Sequence, residues 1–278
     1  MRDLMKWGLT QRRSCAVIGI GRSSFQYQGK PDEDGPLLAK LKRIAFRHPR
    51  YGYRRAWVLL RRAGERLNAK KVLRLWRKAG LTLKRRPPRK RRLGNRVAGP
   101  LRAEHPRHVV TYDFMFDRTS EGRRLKILTV VDEFTREALA IAVDNRMTAH
   151  QVMWVLARAF KAGRWPEYLR SDNGPEFVAE ALETWLRNRG VTTHHIDPAS
   201  PWQNAFGESF NDKLRTECLE LELFEDLEEA RRVLEGWRRH YNRERPHSSL
   251  GYRTPEEFRT GWTGKDAENP LSLGRRKT

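Results

Sequence analysis

Residues 108–143, HVVTYDFMFDRTSEGRRLKILTVVDEFTREALAIAV, decide the fold. Three short runs, HVVTYDFMFD, LKILTVVDEF and ALAIAV, are rich in β-branched or aromatic residues and separated by polar turns, which reads as an antiparallel meander. Downstream the pattern alternates: a helix over about 148–161, a strand near 168–171, a helix near 176–189 ended by Gly190, and a short strand over 191–195. A meander followed by such alternation predicts an α/β sandwich around a mixed sheet.

Upstream the chain reads as all-α. Residues 10–27 outline a helix, a Gly19/Gly21 turn and a second helix from Ser23, an outline that any αα-hairpin shares with a helix-turn-helix. Leu37, Leu41, Ile44 and Ala45 then keep a helical period between Pro36 and Pro49. A helix over 54–62 precedes Gly64, and another follows Asn68 and closes at Gly80. The last carries Val72, Leu75, Trp76 and Ala79 on one face and Lys70, Lys71, Arg74, Arg77 and Lys78 on the others. Such a basic face is either solvated or laid on DNA, and its place in a three-helix unit favours groove or phosphate contact. KRRPPRKRR, residues 84–92, sets seven basic residues around a Pro-Pro pair that cannot continue a helix. It reads as a linker that also suits DNA phosphates, although a plain tether has the same composition. The expected plan is a helix-turn-helix DNA-binding region over 1–83, a basic linker over 84–104, a core with C-terminal helix and arm over 105–262, and a tail over 263–278.

The chain has 57 Lys and Arg against 34 Asp and Glu, a formal charge of +23, which points to a polyanionic partner. Its two cysteines, Cys15 and Cys218, form no paired-ligand spacing, so neither a zinc knuckle nor a disulfide framework is expected. No apolar run has the length of a signal peptide or membrane span, so a soluble intracellular protein is expected.

Asp113 stands mid-strand among Val109, Val110, Phe114, Met115 and Phe116, where an ionised carboxylate is costly unless paired or metal-bound; an edge strand could still turn it to water. Asp172 begins the turn Ser171-Asp172-Asn173-Gly174-Pro175, where ordinary turn chemistry competes with the tendency of α/β sheets to place sites at strand ends. In PWQNAFGESFNDKLRTE, Asn204, Glu208, Asn211 and Arg215 share one helical face while Phe206, Phe210 and Leu214 line another. Taken alone, Glu208 reads as an exposed helical position. Asp132 reads as fixing a hairpin turn, and His194 and His195 as structural or DNA-contacting, since adjacent strand residues face opposite ways. Leu227, Ala230, Val233, Leu234, Trp237 and Tyr241 form a stripe expected to pack on the core behind an Asp226 N-cap, and the basic arm Arg243–Arg253 is expected to touch DNA.

Asp172 and Glu208 are separated by 35 residues, and with Asp113 this resembles the Asp-Asp-35-Glu signature of retroviral-type integrases and related transposases. SDNGPEF, SPWQNAFGESFNDKLRTECL and YNRERPHSSLGYRTPEEF resemble the core blocks of insertion-sequence transposases encoded by a downstream reading frame, the OrfB type. RYGYRRAWVLLRRAGERLNAKKVLRLWRKAGL is similar to the helix-turn-helix segment preceding that core. Tyr112 stands where the family usually has tryptophan, and Ala205-Phe206 replaces a more usual glycine-containing pair. The resemblance implies a ribonuclease-H-like catalytic core and a bacterial cytosolic, nucleoid-associated enzyme that cuts and joins DNA. It implies Asp113, Asp172 and Glu208 as catalytic ligands of two Mg²⁺ ions, with Mn²⁺ as substitute. The partners it implies are double-stranded DNA at element ends and target, a homo-oligomer on DNA, and an upstream-frame protein. Asn173, Gln203, Asn204, Asn211 and Arg215 are expected beside the DNA, with turn formation and capping as the competing role of Asn173 and of residues 201–204. A DNA-binding regulator and a nuclease without strand transfer are the alternatives.

Overall fold

The computed structural model describes residues 2–27, 34–83, 101–161, 164–171, 180–195 and 204–263. The helical region opens with α1 (Arg2–Lys6), which no sequence signal announced, then α2 (Gln11–Ile18) and α3 (Arg22–Gln26). The Thr10 hydroxyl caps α2, and Gly19 ends it in the left-handed region at φ 72°, which makes the expected hairpin turn. Three longer helices follow, α4 (Gly35–Arg47), α5 (Tyr53–Arg62) and α6 (Ala69–Lys78). Their apolar stripes meet in one cluster of Leu41, Ala56, Leu60, Val72, Leu75 and Trp76. Asn68 starts α6 by accepting the Lys70 amide at 2.8 Å, as its place before the stripe predicts.

Strands β1 (Val109–Arg118), β2 (Arg124–Asp132) and β3 (Ala138–Asp144) form the expected antiparallel meander. After α7 (Ala149–Phe160) come β4 (Tyr168–Ser171), α8 (Glu180–Arg187) and β5 (Thr192–His195). β4 pairs parallel to β1 and β5 parallel to β4, giving one mixed sheet in the order β3-β2-β1-β4-β5. Period-two alternation divides β1 and β2 between two cores. Val110, Tyr112, Leu128 and Val130 face α7 and α8. Met115, Leu125, Ile127 and Val131 face α9 (Ala205–Leu214) and α10 (Leu227–Arg243), where Phe210, Leu214, Ala230, Leu234, Trp237 and Tyr241 close the second layer. Asp226 caps α10 through the Glu229 amide at 2.7 Å. Among the described residues no helix is long and apolar enough to cross a membrane.

Two features depart from the sequence reading. The helix bearing Glu208 does not run on regularly: Arg215–Leu219 form one π-helical turn. In it Thr216 bonds back to the Asp212 carbonyl at 2.8 Å, while Cys218 and Leu219 enter the core. Part of the basic arm expected on DNA folds back inside, while Arg243 stays exposed. Arg245 is 1% exposed and grips Glu217 of the π turn with two bonds of 2.6 Å, and His247 is buried with Nε2 donating to the Tyr241 carbonyl at 3.3 Å. The cause is electrostatic, since a carboxylate turned inward by the π turn needs a cation and the arm supplies it. A short 3₁₀ turn (Ser248–Leu250) and α11 (Pro255–Thr260) finish the described chain.

The helical region docks on this same end of the core. Arg55 reaches Glu217 at 3.3 Å, Arg50 reaches Glu220 at 2.9 Å, and Arg62 reaches Glu257 at 2.7 Å. The Tyr51 hydroxyl lies 2.9 Å from His240 Nε2, with His48 stacked between the two rings' neighbourhoods at 4.5 and 5.0 Å.

Burial pushes the Glu217 carboxyl up, but hydrogen bonds and charge from Arg245, then charge from Arg55 and Lys213, more than reverse it, so its pKa lies below the ordinary 4.5. A depressed carboxyl contributes stability above its unfolded pKa and loses it as pH falls through the folded value. Glu217→Gln should therefore flatten the acid limb of a melting-temperature profile below about pH 4.5. Arg245→Ala strands the carboxylate and should cost about 3–5 kcal/mol in denaturant unfolding at neutral pH, much of it recovered in the R245A/E217Q double variant. Equal losses in single and double variants would remove the pair from its structural role.

Candidate active site

The site begins with a carboxylate at the centre of the sheet. Asp113 lies on β1 opposite Thr129 of β2, half-buried on the face that carries α9. Its Oδ2 accepts from Asn211 Nδ2 at 2.8 Å, and its Oδ1 accepts from the Phe114 amide at 2.7 Å. Thr129 Oγ1 donates to Asn211 Oδ1 at 3.0 Å, so the amide is oriented with its nitrogen on the carboxylate and its oxygen on the hydroxyl.

Two residues back on the same face, Thr111 Oγ1 donates to Asn204 Oδ1 at 2.8 Å. The residue before α9 and the residue in its second turn are thus both tied to β1. Glu208 stands between them at helical spacing and remains exposed, which leaves its carboxylate open on the side of α9 that meets Asp113. β4 runs parallel to β1 with Thr111 paired to Arg170, so β4 ends at Ser171 beside Tyr112, one residue short of Asp113. Asp172 follows Ser171 in sequence. Asp172, Asn173 and Gln203 lie outside the described residues.

Several expectations change here. Asn204, expected beside DNA, is 5% exposed and bonded to Thr111, and Asn211 is bonded to Asp113; both amides are drawn inward because Thr111, Asp113 and Thr129 are polar groups on a face otherwise sealed by apolar side chains. Arg215 remains exposed at the start of the π turn. Phe206 does not join Phe210 and Leu214 in the core; it stays 36% exposed beneath Arg136, whose guanidinium stacks on its ring at 3.8 Å. Asp132 is the turn residue the sequence suggests: it accepts the Phe134, Thr135 and Arg107 amides at 2.8, 3.1 and 2.8 Å. His195 bridges Glu183 Oε1 at 3.0 Å and Ser171 Oγ at 3.4 Å, tying α8 and β5 to the end of β4. That link carried no sequence signal, whereas Thr129 did, as a lone hydroxyl in the run LKILTVVD on the same face as Asp113.

On α6, Lys70, Lys71, Arg74, Arg77 and Lys78 are all exposed. Asp34, the residue before α4, pairs with Lys71 at 2.8 Å and Arg74 at 2.6 Å, and its carboxyl lies below the ordinary range through hydrogen bonding to Lys71 and the charges of both cations.

The chain matches two Integrase core domain families, over residues 103–201 and 189–255, and an HTH-like domain family over residues 31–91. It is 42% identical to the Insertion element IS407 uncharacterized 31.7 kDa protein of Burkholderia multivorans, over 91% of each chain. It is 32% identical to the Transposase InsD for insertion element IS2D of Escherichia coli, over 81% of this chain and 79% of that one. Among solved structures it resembles a chain of the simian T-cell lymphotropic virus intasome in complex with PP2A regulatory subunit B56 gamma. That match has a TM-score of 0.50 and 14% identity, covering 80% of this chain and 75% of the other, and it is a likeness of fold.

Gly207, buried next to Glu208, leaves room for the Asn204 side chain that bonds β1: a Cβ there would meet Asn204 Oδ1 at 2.5 Å. Gly207→Ala should therefore displace the Asn204 amide from Thr111 and cost about 1–3 kcal/mol, measured by chemical denaturation. The N204A/G207A double variant, with the obstructing amide gone, should be less destabilised than the sum of the two single variants. Strict additivity would show that the close approach does not matter.

Proposed function

Because the chain belongs to the insertion-element transposases with an integrase core domain, we propose that Asp113, Asp172 and Glu208 are the metal-binding triad with which it cuts and joins DNA. The observation that carries this reading is the oriented Asp113 carboxylate, held by Asn211 from the helix that presents Glu208 and adjoining the strand that leads into Asp172. The three donors are hard carboxylate oxygens with no thiolate or imidazole among them, a set suited to Mg²⁺ or Mn²⁺. Two such ions, when bound, supply activation of the attacking oxygen and charge stabilisation of the leaving 3′ oxygen.

The residues divide the remaining work. Asp113 and Glu208 offer oxygens from two different elements, so a scissile phosphate can sit between strand and helix. Asn211 keeps Asp113 in one rotamer, which spares its reorganisation during the reaction. Water attacking a phosphodiester at the element end frees a 3′ hydroxyl; that hydroxyl then attacks a second phosphodiester and joins the strands, with one P–O bond formed and one broken at each step. Lys70, Arg77 and Lys78 extend from α6 toward solvent and are assigned to the DNA ends, Lys71 and Arg74 joining them where phosphate competes with Asp34. Joining two ends to one target places more than one chain on the DNA, hence a homo-oligomer.

Asp113→Asn, Asp172→Asn and Glu208→Gln should each abolish cleavage and joining of an end-containing duplex while the protein stays folded. Near-wild-type joining by any of them removes that residue from the triad. Chelation should stop the reaction and Mg²⁺ or Mn²⁺ restore it, whereas joining in chelator defeats the metal assignment. In binding titrations of the full chain at two salt concentrations, Arg77→Ala should weaken end binding and lower the salt slope by roughly one ion. Unchanged affinity and slope would move recognition away from α6.

A further inference from the structure

At the opposite end of β1 and β4 from the triad, three side chains converge that the transposition chemistry does not use. His105 and His108 lead into β1 and Glu167 leads into β4, and one potential ligand atom from each lies within 4.8 Å of the others. We propose that His105, His108 and Glu167 form a second metal site, for a borderline divalent transition ion such as Zn²⁺, which clips the start of the core's first strand to its fourth.

The geometry is close to what such an ion needs. Tetrahedral bonds of about 2.0–2.2 Å put neighbouring donor atoms roughly 3.4 Å apart. His105 Nε2 stands 3.5 Å from Glu167 Oε1, and His108 Nε2 stands 3.9 Å from Glu167 Oε2. The two imidazoles are stacked at 4.7 Å and 14°, so both rings lie beside the one carboxylate, and a small rotation of either about its Cβ–Cγ bond lets the two Nε2 atoms converge. The backbone holds the set in place: the Glu167 amide donates to the Arg107 carbonyl at 3.1 Å and the Tyr168 amide to the His108 carbonyl at 2.9 Å. His105 Nδ1 is 3.2 Å from the Pro106 carbonyl, an acceptor that fixes the proton on Nδ1 and frees Nε2 for a metal. His108 is set the other way, since its Nδ1 accepts the Glu104 amide at 3.1 Å; ligation through Nε2 moves the proton to Nδ1 and gives up that exposed hydrogen bond. The ion also displaces Arg164 from Glu167, an exposed pair at 3.2 Å that is cheap to lose.

Two imidazoles with one carboxylate select Zn²⁺, Co²⁺ or Ni²⁺ over Mg²⁺. Partial exposure of all three side chains leaves water as the fourth ligand. Asp113 lies five positions after His108, roughly 16 Å along a strand at about 3.3 Å per residue, so the ion is distinct from any bound by the triad.

The test is a titration of the full-length, chelator-stripped chain with Co²⁺, read by its visible d–d absorption. One Co²⁺ per chain with bands more intense than those of the aqueous ion, displaced by Zn²⁺, is the expected result. His105→Ala, His108→Ala and Glu167→Gln should each weaken it at least about tenfold. Zn²⁺ should raise the melting temperature of the wild type but not of these variants, which separates lost ligation from lost folding. Asp113→Asn and Glu208→Gln should leave the spectrum unchanged, so a failure of the triad assignment shows in joining assays and not here. Absorption like that of the aqueous ion, titrations insensitive to the histidines, or bands lost with Asp113→Asn would each overturn the site.

Discussion

The structure turns on how one helix is fastened across one strand. α9 touches β1 through two side-chain amides, Asn204 on Thr111 and Asn211 on Asp113, one on either side of Glu208 along the helix. Apolar packing alone, chiefly Phe210 and Leu214 against the α10 stripe, would bury the helix without fixing its rotation to better than the width of an apolar stripe. Polar contacts are directional, and an unmatched buried amide or hydroxyl costs about 1–3 kcal/mol. A rotation of α9 that breaks both amide contacts is therefore disfavoured, which fixes the face on which Glu208 lies between Asn204 and Asn211. Gly207 is what lets Asn204 lie flat enough to make its bond.

A second constraint sits two turns further on. The π turn directs Glu217 inward, where Arg245 from the arm and Arg55 from the helical region converge on it. Exposed pairs such as Arg50–Glu220 and Arg62–Glu257 are worth at most about 1 kcal/mol each, so they orient the docking of the two regions more than they hold it. The holding falls to the Glu217 centre and the His48–Tyr51–His240 stack, whose burial pushes His48 down to about 4 and keeps it neutral at physiological pH. The consequence for function is geometric. On α5, Arg55 and Arg62 are paired with core carboxylates, while the five cations of α6 are exposed, so α6 presents a positive surface that docking leaves uncovered.

Much of this was legible in the sequence because period and capping are local. The meander, the order of the later strands and helices, the Asn68 and Asp226 caps and the apolar stripe of α10 all follow from residues a few positions apart. Asp113 was legible for a different reason: a carboxylate in an apolar strand has no cheap structural explanation. What could not be read was pairing across distance. Nothing near Asn211 says that it faces Asp113 and not solvent, since both faces of an amphipathic helix carry polar residues. The arm misled for the same reason: RERPHSSLGYR has the composition of a phosphate-binding segment, and only the inward turn of Glu217, 28 residues earlier, makes Arg245 a buried partner. The π turn itself has no composition signature, and the histidine pair before β1 gains meaning only from Glu167 across the sheet.

The asymmetry between the two described acids bears on how the proposed site would serve both cleavage and joining. Asp113 is bonded on both oxygens and rides on the central strand of the sheet, whereas Glu208 is exposed on a helix that runs on into π geometry. A site in which every ligand was equally fixed would suit one arrangement of attacking and leaving oxygens. In the proposed reaction, cleavage by water and joining by a 3′ hydroxyl place different groups in those positions, around two different phosphorus atoms brought in turn to one site. On the proposed assignment, Asp113 is the fixed ligand and the adjustment between the two steps falls to the exposed side chain of Glu208, while the rotation of α9 is set by Asn204 and Asn211. Rigidity in the helix and freedom in the side chain are thus compatible, and the paired amides are what make them so.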